Sequence, residues 1–375
     1  MINQELVKKL ASQLKKDGVD AIMIAPGADM VFLLGHKPLL CERYQALFVK
    51  SDETCFYICN ALYTDEVSDF VDGGKIYSWH DRDGFEKTVK KAFEEQGLVG
   101  KTVAINGNVR AFNLIKAQNA VDFKAVDGKD YIELTRIIKT PEELENLRKS
   151  SLIADKAFEE IKKFIKPGVT EKDINDELTR IMMENGADYT WGGIVAVDGN
   201  AALPHYMGNS GVVGKKAIVL MDYGCIYKGM FSDTTRTVFV GRATEREKEI
   251  YNIVLQANLA GERAAKNGAW IPDVDAAARK VIADRGYGPR FNHRLGHGIG
   301  YAEHEAPYIR GDYEMHLAPG MAFSCEPGIY LKDDIGIRIE DDALVTENGC
   351  EILTKDMIKT VDDIEHFMAE GKKNV

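Results

Sequence analysis

A chain of 375 residues, 45% hydrophobic and 29% charged, has ordinary globular composition and enough length for two domains with a core each, which excludes wholesale disorder. Lys and Arg total 48 against 59 Asp and Glu, so the net charge is −11 and there is no chain-wide positive field to hold nucleic acid. No apolar run approaches the roughly 20 residues that cross a bilayer, which argues against membrane insertion, and six cysteines without a CxxC pair read as free thiols in a reducing, cytoplasmic setting.

The opening "MINQELVKKLASQLKKDG" sets Ile2, Leu6, Leu10 and Leu14 four apart between lysines, predicting an amphipathic helix that ends at Gly18. Strand-like "AIMIAP", "RYQALFVK" and "CFYICN" follow, then helical "GFEKTVKKAFEEQG" and strand-like "KTVAIN". This alternation predicts an α/β domain over 1–130 with a predominantly buried sheet. The domain holds no convincing chemical motif, and Glu42-Arg43 reads as a surface or interface pair.

A second domain, 131–375, opens on "KTPEELENLRKS", with Thr140 as N-cap, Pro141 in the first turn and Glu143 closing a capping box. Within it "IKPGVTEKDINDELTRIMMENG" lines up with "AKNGAWIPDVDAAARKVIADRG" at an offset of 100. Lys166, Gly168, Asp173 and Gly186 recur as Lys266, Gly268, Asp273 and Gly286, and Ile174 and Ile181 recur as Val274 and Val281. The reading is two similar halves, each of helices followed by strands.

Each half ends in a candidate hairpin with two acids. In "AIVLMDYGCIYKGMFSDTTRTVFVG" the midpoint of Asp222 and Asp233 falls between Tyr227 and Lys228, so a turn there sets the two aspartates opposite each other. In "FSCEPGIYLKDDIGIRIEDDALV" the midpoint of Glu326 and Glu340 is Asp333. Carboxylates facing each other in apolar strands repel, and the pairing needs a cation or a shared proton. The stretch "HRLGHGIGYAEHEAP" supplies His297, with Gly296 and Gly298 leaving room for close approach. Four carboxylates and one imidazole suit two divalent cations, and the mixed oxygen and nitrogen donors favour Mn, Co or Zn over Ca or Mg.

The motifs "DYGCIYKGMFSDTTRT", "GHGIGYAEHEAP", "EPGIY" and "GIRIEDD" resemble those of the pita-bread metallopeptidases: prolidase, aminopeptidase P, methionine aminopeptidase and creatinase. The resemblance spans essentially the whole chain, with "RIIKTPEELENLRKS" similar to the family's linker. It implies a creatinase/prolidase-like N-terminal domain and an α+β pita-bread catalytic domain of two pseudo-symmetric halves. It makes Asp222, Asp233, His297, Glu326 and Glu340 the metal ligands of two ions, Mn first among them, with Asp233 and Glu340 bridging. His205 and His304 become histidines acting on the substrate, and Glu326 the residue that moves the proton of an activated water. The implied reaction is hydrolysis of Xaa-Pro bonds in small peptides, with a dipeptidase favoured over an aminopeptidase P because the chain is compact. Pairing of relatives, in which the N-terminal domain borders the partner's active site, implies a homodimer. A non-peptide hydrolase or lyase on the same fold, or a binding module, stand as alternatives.

Four other residues carry open readings. Arg338, two residues before Glu340, could orient that carboxylate or a substrate carboxylate or simply form an ion pair, and Tyr330 could donate a hydrogen bond in the site or pack as a buried side chain. Cys225 and Cys325 read as core packing. The chain departs from the family pattern at Asp29, Leu34 and Cys325. After "HEAP" comes Tyr308, with the nearest arginine at Arg310, so the motif shows no close basic residue for a substrate carboxylate.

Overall fold

The computed structural model describes residues 2–36, 38–71 and 74–371, and divides into two compact units, Met1–Arg136 and Ile137–Val375. In the first, helix α1 (Gln4–Lys16) is capped by the Asn3 side chain, which accepts from the amides of Glu5 and Leu6. It buries Val7, Leu10, Ala11 and Leu14, and Gly18, at φ +69°, follows its end. Ile2 is buried but precedes the helix, so the helical stripe begins later than the spacing suggests.

Strands β1 (Ala21–Ile24), β2 (Ala46–Lys50), β3 (Cys55–Asn60), β4 (Lys75–Trp79), β5 (Thr102–Ile105) and β6 (Lys124–Asp127) form one sheet in the order β4-β3-β2-β1-β5-β6. Pleat alternation splits its side chains between two cores. Ile22, Ile24, Leu47 and Val49 join the α1 face, while Ala21, Met23, Phe48 and Phe56 pack with Val89 and Phe93 of the helix Glu86–Gln96. Arg43 is held mainly by Asp81, with Glu42 as a further exposed partner.

The second unit contains the repeat. Helix α2 (Pro141–Ile161) has the capping box of Thr140 and Glu143, and α3 (Glu171–Glu184) follows. The strands β7 (Tyr189–Val197), β8 (Ala217–Tyr227), β9 (Met230–Phe231) and β10 (Thr234–Val240) complete the first half. Helices α4 (Glu245–Ala264) and α5 (Ile271–Asp284) open the second, which continues through β11 (Gly296–Gly298), β12 (Glu305–Ile309), β13 (Ala322–Cys325), β14 (Gly328–Leu331), β15 (Ile335–Arg338) and β16 (Asp341–Thr346). Helices α3 and α5 lie at the same offset of 100 residues as the sequence repeat. Gly168 and Gly268 both have positive φ, and their amides donate to Val213 O and Leu317 O, so each half ties its helix entry to the following segment in one way. The copies are not identical. Ile181 is buried where Val281 is only partly so, and Asp173 closes a capping box whereas the Trp270 side chain caps nothing.

Candidate metal centre

The first hairpin turns one residue later than its acid spacing predicts. Tyr227 pairs with Met230 around Lys228 and Gly229, at φ +47° and +83°, and this two-residue turn with two positive φ angles fixes the register. Asp222 therefore faces Thr235, not Asp233. Asp233 lies two residues before Thr235 along the chain, diagonal to Asp222 on the same face. The second hairpin keeps the predicted register: Leu331 pairs with Ile335 around Asp333, Gly328 pairs with Arg338, and Cys325 pairs with Asp341 beyond. Continued between those pairs, this register sets Glu326 opposite Glu340. An antiparallel bridge from Thr235 to Glu340 joins the two halves, reinforced by Thr235 Oγ1 donating to Glu340 Oε2 at 2.6 Å.

His297 sits on β11, between β12 and β13. The glycines beside it serve those neighbours: a Cβ on Gly296 would meet Ser324 O at 1.7 Å, and one on Gly298 would meet Ala306 O at 2.2 Å. The room they make is thus for adjacent backbones. His297 Nδ1 lies 3.2 Å from Gly298 O, which can only accept, so Nδ1 carries the hydrogen and Nε2 keeps its lone pair. That lone pair is 3.6 Å from Asp233 Oδ2 and 3.4 Å from Glu326 Oε1.

The donor atoms form three overlapping groups, each with its atoms within 4.8 Å of one another: Asp222, Asp233 and Glu340; His297, Glu326 and Glu340; and Asp233, His297 and His304. Burial, then repulsion from neighbouring carboxylates (Glu340 on Asp233, Glu326 on Glu340, Asp222 on both), pushes Asp233 and Glu340 well above the usual carboxylate range, and burial pushes Glu326 up to about 7. Burial also drives His297 well below the usual imidazole range. Asp222 Oδ1 is buried without a hydrogen-bond partner among the described residues. Two donors bound at about 2.1 Å to one ion stand at most about 4.2 Å apart, which the His297 separations satisfy. A neutral imidazole facing carboxylate oxygens, with an unpartnered buried oxygen nearby, is a donor set that fits divalent cations.

A cavity of about 1210 Å³ opens over this cluster, with His205, His293, His304 and Glu303 on its walls. The His304 ring lies against that of His297, 3.9 Å between centroids and tilted by 54°, yet 45% of the His304 side chain stays exposed. Burial and the Arg294 charge lower its pKa to about 4. His205 lies on an exposed loop. Glu171, buried at the start of α3, accepts from the amides of Val197 and Gly211, from Asn200 Nδ2 and from the Tyr206 hydroxyl, and so ties down both ends of that loop.

Arg338 is buried and spends its fork on protein groups. Nη2 donates to Asp222 Oδ2 at 2.6 Å, Nε to Thr235 Oγ1 and Nη1 to the Tyr330 hydroxyl, while Glu340 is 3.9 Å away. Its closest carboxylate is Asp222, and Glu340, the partner its spacing suggested, is a second one at ion-pair distance. Tyr330 is not among the cavity-lining residues; its hydroxyl accepts from Arg338 and lies 3.0 Å from His293 Nε2. Cys225 and Cys325 are fully buried core residues, as expected. Sequence reasoning assigned no role to Thr235 or His293. Thr235 lies two residues from Asp233, on its strand face, and His293 lies four residues before His297, so both spacings carried a signal.

The sequence profile of metallopeptidase family M24 matches residues 145–347, and that of the creatinase/prolidase N-terminal domain matches residues 7–138. The Xaa-Pro dipeptidase of Pyrococcus horikoshii is 33% identical over 358 residues, covering 94% of this chain and 98% of that protein. A recombinant prolidase from Thermococcus sibiricus is similar in structure, with a TM-score of 0.90 at 32% identity, covering 94% of this chain and 97% of that one. An X-Pro aminopeptidase from Thermotoga maritima gives a TM-score of 0.81 at 30% identity, covering 96% and 99%.

Proposed function

We propose, from the premise that this chain belongs to metallopeptidase family M24, that Asp222, Asp233, His297, Glu326 and Glu340 hold two divalent cations for the hydrolysis of Xaa-Pro bonds. The protein is a metal-dependent Xaa-Pro peptidase with a creatinase-type N-terminal domain followed in sequence by the pita-bread catalytic fold, and dipeptides are favoured over longer substrates. The comparisons lend no support to a non-peptide substrate or a binding module. The observation that carries the ligand assignment is the sharing of donors: Asp233, His297 and Glu340 each belong to two of the overlapping groups, and of these only the two carboxylates have a second oxygen with which to bridge.

Mn is the proposed ion, with Co and Zn also compatible with the donor set. Two such cations, when bound, would lower the pKa of a shared water and polarise the scissile carbonyl. Glu326 accepts the proton of the attacking water and returns it to the leaving nitrogen. His304 and His205, on the cavity wall, stabilise the charge that develops on the carbonyl oxygen and orient the peptide. Arg338 and Tyr330 act on the substrate through the groups they hold, Asp222 and His293. The proposed assembly is a homodimer, checked by light scattering at about twice 41.7 kDa. The proposed setting is cytoplasmic, in keeping with six free cysteines.

The test is a panel of Xaa-Pro dipeptides, Xaa-Pro tripeptides and small amidino compounds, assayed after chelation and again with Mn or Co restored. Chelation abolishes hydrolysis of the Xaa-Pro peptides and either metal restores it. Protein that binds no divalent metal on reconstitution would overturn the reading.

A further inference from the structure

Two divalent cations would neutralise the four carboxylates under the cavity, so in a chain of net charge −11 the free carboxylate of a substrate needs a cation of its own on the cavity wall. Four arginines line its wall. Arg279 is committed to Asp275 through two parallel bonds and to the carbonyls of Phe291 and His293. Arg310 pairs with Asp312, and Arg338 with Asp222. Arg294 is the cavity arginine with no acidic partner within ion-pair distance among the described residues.

Its setting is built. The guanidinium lies over the Tyr308 ring, 5.1 Å from the centroid, a contact that positions the group without using up its N–H donors. The backbone is fixed on both sides: His293 O accepts from Arg279, Arg294 O lies 2.7 Å from His293 Nδ1, and Leu295 N donates to Asp275 Oδ1 and Ile309 O. Arg294 lines the same cavity as His297, His304 and Glu326, on the strand entry three residues before His297. A guanidinium held this close to the ligand cluster, and paired with no acid, is suited to a planar anion one residue beyond the scissile bond.

We propose that Arg294 receives the C-terminal carboxylate of an Xaa-Pro dipeptide, and so sets the preference for dipeptides over longer chains. The inference rests on the Xaa-Pro reading and adds the residue that fixes substrate length. Arg294 stands three residues before His297, not after the "HEAP" motif, and it occupies the neighbourhood of Tyr308 through space.

The experiment compares kcat/KM for Ala-Pro, Ala-Pro amide and Ala-Pro-Ala in Mn-loaded wild type, Arg294→Gln and Arg294→Lys. Wild type prefers Ala-Pro to its amide. In Arg294→Gln that acid-over-amide ratio falls roughly tenfold to a hundredfold, mainly through KM, as expected for loss of a hydrogen bond to a charged group. Arg294→Lys keeps part of the ratio because it keeps the charge, which also guards against a general folding defect in the Gln variant. A ratio that stays within about twofold of wild type in Arg294→Gln overturns the inference. Hydrolysis of Ala-Pro-Ala without hydrolysis of Ala-Pro by wild type also overturns it, while leaving an Xaa-Pro peptidase in place. Failure on all three peptides overturns the functional reading itself.

Discussion

Arg338 Nη2 lies 2.6 Å from Asp222 Oδ2, and the other oxygen of that carboxylate is buried without a hydrogen-bond partner among the described residues. One oxygen is fixed by a charged donor, and the other points free. An outer partner that fixes a carboxylate in this way would set its orientation and leave the second oxygen available to a metal ion.

Arg338→Lys tests that relationship without changing the charge. A lysine cannot reproduce the simultaneous bonds to Asp222, Thr235 and Tyr330. Mn affinity measured by titration calorimetry should fall about tenfold to a hundredfold. Unchanged affinity would show that the guanidinium does not aim Asp222.

His297 and His304 should separate metal binding from turnover. His297 is 2% exposed with its lone pair toward Asp233 and Glu326, whereas His304 keeps 45% of its side chain open to the cavity. His304→Ala should retain both ions and lose roughly a hundredfold to a thousandfold in turnover. His297→Ala should lose metal as well. Equal metal loss in both, by elemental analysis, would make His304 a ligand, as its place beside Asp233 and His297 allows.

Glu171 controls the loop that carries His205. Both of its oxygens accept two hydrogen bonds, so Glu171→Gln turns an amide donor toward existing donors. The expected cost is about 1–3 kcal/mol of stability. Hydrogen exchange over residues 198–211 should accelerate and kcat/KM should fall, with metal content unchanged. Unaltered exchange across that loop would refute the anchor.

Asp155 should make the metal-free protein less stable as pH rises. Burial raises its pKa from 3.8 to about 7, and its Oδ1 has no hydrogen-bond partner among the described residues. The fold thus favours the protonated form. That contribution is fully present below about 3.8 and is lost as pH rises through about 7. Asp155→Asn should therefore melt a few degrees above wild type at pH 8 and close to it at pH 4. A difference independent of pH would remove Asp155 as the source.

Much of this was legible along the chain because it is local. The repeat offset of 100 between the halves survives as two helices at that same offset, and Thr140 with Glu143 forms the capping box its spacing announces. The second hairpin also folds on the midpoint of its acids, Asp333. In the first, the preference of Lys228-Gly229 for a two-residue turn overrode the symmetry of Asp222 and Asp233, and moved Thr235 opposite Asp222.

What the sequence determined by itself was the donor inventory, since the types and spacings of four carboxylates and a histidine are properties of strands and turns. Tertiary structure alone decided which second atom each donor meets. Arg338 is two residues from Glu340 and 116 from Asp222, yet it binds Asp222. Thr235 reaches Glu340 from 105 residues away. Such partners are chosen when the two halves pack together, because buried polar groups must find hydrogen bonds wherever the fold brings a donor within about 3 Å. Distance along the chain does not enter that choice.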